Sequence, residues 1–116
     1  MQAHLVLDRG AADLVALAPD VIFANTFPTV AALQKATRTL PIVFAGVIDP
    51  VGAGLVESLA RPGGNTTGFS GFEYGMSAKW LEVLKQIAPR TARVAVLRDS
   101  VTTVGIGQLA AIQGVA

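Results

Sequence analysis

The chain has 116 residues, 52% hydrophobic and 15% charged, which fits one domain with a modest buried core and excludes a disordered tail. Nine Lys and Arg against eight Asp and Glu leave a formal charge of +1, and no window gathers several basic residues, so no electrostatic footprint for nucleic acid or anionic lipid is present. Without cysteine there is no disulfide, thiol nucleophile or Cys-based metal site, and the single His4 cannot anchor a metal alone.

In the opening MQAHLVLDRG, Asp8 and Arg9 interrupt the apolar run before it reaches the length of a signal-peptide core. No uncharged apolar run approaches the roughly 20 residues of a membrane span. A first helix is predicted in AADLVALA, stopped by Pro19 just before a strand, DVIFA (Asp20 to Ala24). PTVAALQKAT places Pro28 at a first helical position and Val30, Leu33 and Ala36 on one face, followed by a second strand, PIVFAG (Pro41 to Gly46). VGAGLVESLA spaces Val51, Leu55 and Leu59 at helical intervals and stops at RPGGN. A third strand is expected at TTGFS (Thr66 to Ser70), and then the longest helix, YGMSAKWLEVLKQIA, with Met76, Trp80, Val83, Leu84 and Ile87 as its apolar stripe and Pro89 as its end. ARVAVL (Ala92 to Leu97) is the fourth predicted strand, and VGIGQLAAIQGVA is weakly helical.

The first, second and fourth strands are continuous β-branched or aromatic runs, the pattern of strands buried on both faces of a parallel sheet. Alternation of strands and helices with short connections predicts an α/β fold, a parallel sheet with flanking helices. The chain opens on a helix and stops in a half-helix after its last strand, so both ends are expected to be cut from something larger.

Between Asp49 and Glu73, DPVGAGLVESLARPGGNTTGFSGFE carries six glycines. A dinucleotide fingerprint needs a third glycine where this sequence continues through Leu55 and Val56 to the acidic Glu57, and a Walker loop needs a Lys that the stretch lacks. The loop therefore fits something other than a phosphate cradle. In doubly wound sheets, ligands sit at the carboxyl ends of the strands. The residues expected there are Asn25 and Thr26 after the first strand, Asp49 and Pro50 after the second, and Ser70, Gly71, Phe72 and Glu73 after the third. They offer an amide, hydroxyls, carboxylates and an aromatic ring, a set able to hold a small polar molecule. The same residues also suit plain structural roles: Asn25 and Ser70 as turn caps, Asp49 as the cap of the helix at Val51, Phe72 as core. No catalytic set is legible: Asp49 and Glu73 are paired carboxylates without a histidine, and Ser58 and Ser77 fall inside predicted helices, outside any nucleophile elbow. Lys79 and Lys85 belong on the outer face of the long helix.

Five separated blocks, PDVI, PIVF, DPVGAGLV, SLARPGGNTTG and KWLEVL, in this order and at this spacing, resemble the ABC transporter substrate-binding proteins of bacteria, in the tryptophan/tyrosine-type group with the periplasmic-binding-protein type I fold. The resemblance covers Leu14 to Leu97. It implies a Rossmann-like, doubly wound lobe of a two-lobed, non-enzymatic protein that clamps a small solute between its lobes and delivers it to a membrane permease, in the periplasm. It implies residues 1–90 as a partial first lobe and residues 91–116 as the truncated start of the second. Carried over residue by residue, it assigns ligand binding to Asn25, Thr26, Asp49, Pro50, Ser70 and Phe72, with no cofactor and no metal. An amino acid is the implied solute, with Phe72 stacking on a ring and Asp49 receiving an ammonium group. The resemblance departs at the ends: no leader is readable and most of the second lobe is absent, so the chain by itself is expected to bind solute weakly, and its open sheet edges invite a homo-oligomer. The fold alone also hosts nucleotide-binding or enzymatic domains and ligand-sensing regulatory domains. The missing phosphate loop and catalytic set disfavour the first, and the missing DNA-binding helix pair and basic surface disfavour the second.

Overall fold

β-branched and aromatic residues favour extended backbone and pack well on a pleated surface. They form β1 (Ile22–Asn25), β2 (Ile42–Val47) and β3 (Thr66–Ser70). The strands pair in parallel in the order β1-β2-β3, with Ile22, Ile42 and Thr66 in one row and Asn25, Ala45 and Phe69 in another. A computed structural model describes residues 2–116 as two compact units, the first ending at Gly71 and the second running Phe72–Ala116. The sheet lies in the first unit, and the expected α/β class with a parallel sheet and flanking helices is borne out.

Parallel strands need a crossover long enough to return the chain, and a helix supplies it. That helix is α2 (Phe27–Ala36), with Pro28 in its first turn, where a missing N–H costs no intrahelical bond. Val30, Ala32 and Leu33 of α2 and Ala11 of α1 (Gln2–Ala16) meet Ile22, Ala24, Ile42, Phe44 and Val47 from the sheet in one buried cluster. Each large apolar side chain fully buried there stabilises the unit by about 1.5–3 kcal/mol. The opposite sheet face differs from the sequence expectation of burial on both sides: β1 buries only alternate residues, leaving Phe23 69% exposed, and Phe69 of β3 is 75% exposed. The buried face is covered by α2, and α1 packs on α2.

The helix expected over Val51–Ala60 does not form, and its failure has a local cause. One turn starts at Asp49, where Ala53 N–H reaches the Asp49 carbonyl at 2.8 Å. Gly54 then adopts φ +76°, donates to the Val51 carbonyl (3.0 Å), and Leu55 N–H returns to the Pro50 carbonyl (2.9 Å). This pair of bonds around a left-handed glycine is the Schellman stop, so the helix ends after its first turn. Leu55 and Val56 still reach the core, whereas Leu59, placed on the same stripe by the sequence, is exposed.

The loop that enters β3 is fastened from two sides. Gln34 Nε2 donates to the Leu55 carbonyl (2.7 Å) and to Thr66 Oγ1 (3.0 Å), and Asn65 Nδ2 donates to the Leu40 carbonyl (2.7 Å). These bonds satisfy polar groups that would otherwise be buried unpaired at the amino ends of β2 and β3.

The second unit holds α3 (Met76–Ile87) and α4 (Thr103–Gln113), packed against each other. α3 ends ahead of Pro89 as expected, but its buried face is Ser77 and Leu81, while Met76, Trp80, Val83 and Ile87 of the predicted stripe are about half or more exposed. The strand expected at Ala92–Leu97 is also absent: these residues have no ladder partner among the described residues, and Leu97 is wholly exposed. A strand exists only by pairing, so β propensity without a neighbour leaves extended coil. Thr102 caps α4 by accepting from Gly105 N–H at 3.4 Å. No described helix is long and apolar enough to cross a membrane.

Candidate functional site

Because β1, β2 and β3 run parallel, their carboxyl ends fall on one edge, and the register sets Asn25 beside Ala45 and Val47 beside Ser70. Five of the six sequence-predicted residues follow from this: Asn25 ends β1, Thr26 begins the turn into α2, Asp49 and Pro50 leave β2, and Ser70 ends β3. Asn25 and Thr26 are exposed, Asp49 and Ser70 are half-buried, and Pro50 is buried. Phe72 belongs to the second unit, where its ring meets Trp80 edge-on with centroids 5.2 Å apart.

The backbone at this edge is strained. Thr26 has φ 74° and Asp49 has φ 43°, two of the three non-glycine residues with positive φ among those described. For a β-branched residue such a φ is an outlier, and strain of about 1–3 kcal/mol per residue persists where surrounding bonds hold it. At Thr26 the holding group is Thr29, whose hydroxyl donates to the Thr26 carbonyl at 3.0 Å and closes on the Asn25 carbonyl. Thr26 sits at the N-cap position of α2 yet makes no side-chain capping bond. Its hydroxyl lies 3.4 Å from that of Thr29. At Asp49 the carboxylate accepts from Gly52 N–H at 2.7 Å, the capping role the sequence allowed, now serving a single turn.

This geometry bears on the chemistry. The glycine-rich stretch does not open a helix, so the row of free N–H groups and the dipole that would hold a phosphate are absent from it. Among the described residues no group of three or more His, Cys, Asp or Glu is placed to hold a metal ion. Ser58 is spent in a turn, accepting from Arg61 N–H (2.9 Å) and donating to its carbonyl (3.1 Å), and so lies outside the helix expected for it. Ser77 lies within α3, as expected, and is buried there. Lys79, on the outer face of α3, pairs with Glu82 at 2.8 Å, and that hydrogen bond and charge raise its pKa above the ordinary lysine value. What remains at the strand ends is an amide, hydroxyls and one carboxylate, groups able to hydrogen-bond a polar solute.

Two residues that shape this rim were missed by sequence reasoning. Thr29 carried no signal beyond its place one turn into α2. Gly46 did carry one, since a glycine inside an apolar strand marks a bulge or a close approach.

Residues 6–112 match the protein family described as ABC transporter substrate binding protein. Over 81 residues the chain is 40% identical to a tyrosine-binding protein of Clostridioides difficile strain R20291, covering 70% of this chain and 23% of that protein. Among solved structures it is similar to a conserved domain protein from Vibrio cholerae, with TM-score 0.85 and 32% identity over 97% of this chain and 37% of that one. It is also similar to an ABC domain from Streptococcus pneumoniae in complex with L-Trp, with TM-score 0.83 and 28% identity at 97% and 37% coverage. A third similar structure is the ligand-free, open form of a substrate binding protein with adhesive properties from Clostridium difficile, with TM-score 0.69 and 32% identity at 96% and 37% coverage. The chain thus spans 37% of each of these structures and 23% of the curated relative.

Proposed function

The chain belongs to the ABC transporter substrate-binding protein family, and from that membership we propose that its strand-end rim is one wall of a solute cleft in a non-enzymatic, exported component of an uptake system. The observation that carries the proposal is the convergence of Asn25, Thr26, Asp49 and Ser70 on one edge of a parallel sheet, with strained backbone at Thr26 and Asp49. In this reading residues 1–90 contribute to the first lobe and residues 91–116 open the second. Pro50 fixes the turn beneath Asp49. The solute is a small zwitterion, an aromatic amino acid such as the L-Trp bound by the pneumococcal neighbour, and a membrane permease receives it.

A cleft gains affinity by burying its ligand between two walls. This chain alone is therefore expected to bind weakly, and the outer strands β1 and β3 and the exposed Phe23 and Phe69 favour self-association. The test is calorimetric titration of the two-lobed protein with L-tyrosine, L-tryptophan and a set of mononucleotides. The proposal expects saturable binding of an aromatic amino acid, reduced by Asn25→Ala, and no response to nucleotides. Binding of mononucleotides in place of amino acids, or turnover of the bound solute, would refute it.

A further inference from the structure

The bulge in β2 points to a residue that acts on the rim without belonging to it. β2 and β3 stay in step through Ala45 and Phe69, yet the next pair is Val47 with Ser70, so Gly46 is the extra residue of a bulge. Bulges bend a strand and re-aim a neighbouring side chain, and they recur beside ligand sites. Here Gly46 adopts φ +70°, a conformation that disfavours L side chains. A Cβ at this position would stand 2.8 Å from Asn25 Oδ1, closer than real Cβ atoms come, and 3.6 Å from Asn25 Cγ, an ordinary contact, so the amide would have to turn away. The space that a side chain at 46 would fill is the space that the Asn25 amide uses.

We infer that Gly46 is a positioning residue: the bulge and the missing side chain together set the Asn25 amide at the carboxyl edge of the sheet, and through it the solute affinity of the rim. The inference rests on the cleft proposed above. Asn25 is otherwise an exposed side chain at the end of an outer strand, with several rotamers open to it in solution. A side chain at 46 would push the Asn25 amide aside. It would exclude the rotamer seen here, and binding through the amide would then have to restore it at a cost.

The test compares the unmodified protein, Asn25→Ala, Gly46→Ala and the double variant, by two readouts. In urea denaturation of this chain, Gly46→Ala is expected to lower the unfolding midpoint less in the Asn25→Ala background than in the native one, because removing the amide relieves the overlap and leaves only backbone strain. Equal shifts in both backgrounds overturn the inference. Where Gly46→Ala alone does not fold, a folded double variant supports the inference and an unfolded one overturns it. In titrations of the two-lobed protein with L-tyrosine and L-tryptophan, Asn25→Ala and Gly46→Ala are each expected to weaken binding about tenfold, near the worth of one hydrogen bond. The double variant is then expected to be no weaker than Asn25→Ala. A further loss in the double variant overturns the inference. If the unmodified protein binds neither amino acid, the cleft proposal falls, and the denaturation cycle still decides whether Gly46 positions Asn25.

Discussion

Asn65 holds the amino end of the sheet, opposite the rim, and its replacement separates stability from binding. Its side-chain nitrogen donates to the Leu40 carbonyl at 2.7 Å and more loosely to the Thr37 carbonyl at 3.4 Å, while its own carbonyl accepts from Ile42 N–H at 2.8 Å. Asn65→Ala keeps the backbone bond and removes both side-chain bonds. A net loss of about 1 kcal/mol for the short bond, plus part of the roughly 1–3 kcal/mol cost of leaving a carbonyl unpaired in a half-buried place, gives a destabilisation of about 2 kcal/mol. For a unit of this size that corresponds to a fall of roughly 8–16 °C in melting temperature. Asn65→Asp is the sharper variant, since at neutral pH it sets a carboxylate against two carbonyl oxygens and is expected to be at least as damaging. The folded state then disfavours the charged form, so the introduced carboxyl has its pKa raised above the unfolded value of about 3.9. The folded protein binds the extra proton, and the Asp variant regains stability as pH falls through the raised pKa. Far-UV circular dichroism during urea denaturation from pH 7 to pH 4 measures this. A loss under about 0.5 kcal/mol in Asn65→Ala, typical of an unremarkable surface change, or an Asp variant as stable as the native chain at pH 7, would show that the clamp is not formed.

Three further substitutions probe packing, two at glycines of the first unit and one at Ser77 of the second. A Cβ at Gly68 would lie 2.2 Å from the Phe44 carbonyl oxygen, a backbone atom that cannot step aside, so Gly68→Ala is expected to separate β2 from β3 and leave little folded protein by circular dichroism, whereas Gly71→Ala, with nothing within 4 Å, should fold normally. A stable Gly68→Ala protein would refute that strand spacing. Ser77 is 1% exposed and its hydroxyl has no hydrogen-bond partner among the described residues, so Ser77→Ala removes a desolvated group at almost no loss of volume and is expected to raise stability by about 1 kcal/mol. A fall of that size in thermal denaturation would mean that the hydroxyl is bonded.

Local pattern alone determined much of this protein. Pro28, the run Val30–Leu33 and the breaker Pro89 placed α2 and the end of α3, and the β-branched runs placed β1 and β2, because these signals act within a few residues of chain. The residues at the strand ends were legible for the same reason: once strands are parallel, whatever follows each one must share an edge. One miss was local, the stop at Gly54, and the others were matters of what stands next to an element in space. Val51, Leu55 and Leu59 have helical spacing, but Gly54 stops the turn and the core accepts only Leu55 of the three. Ala92–Leu97 has the composition of a strand and no strand to pair with among the described residues. Apolar periodicity on α3 counted its larger side chains, whereas packing against α4 chose the side bearing the small Ser77. Composition and periodicity state which backbone conformation each segment prefers. Only the assembled structure decided which neighbour satisfies its hydrogen bonds and which face is covered, and therefore how the strain at Thr26, the carboxylate of Asp49 and the empty side of Gly46 come to surround a single edge of the sheet.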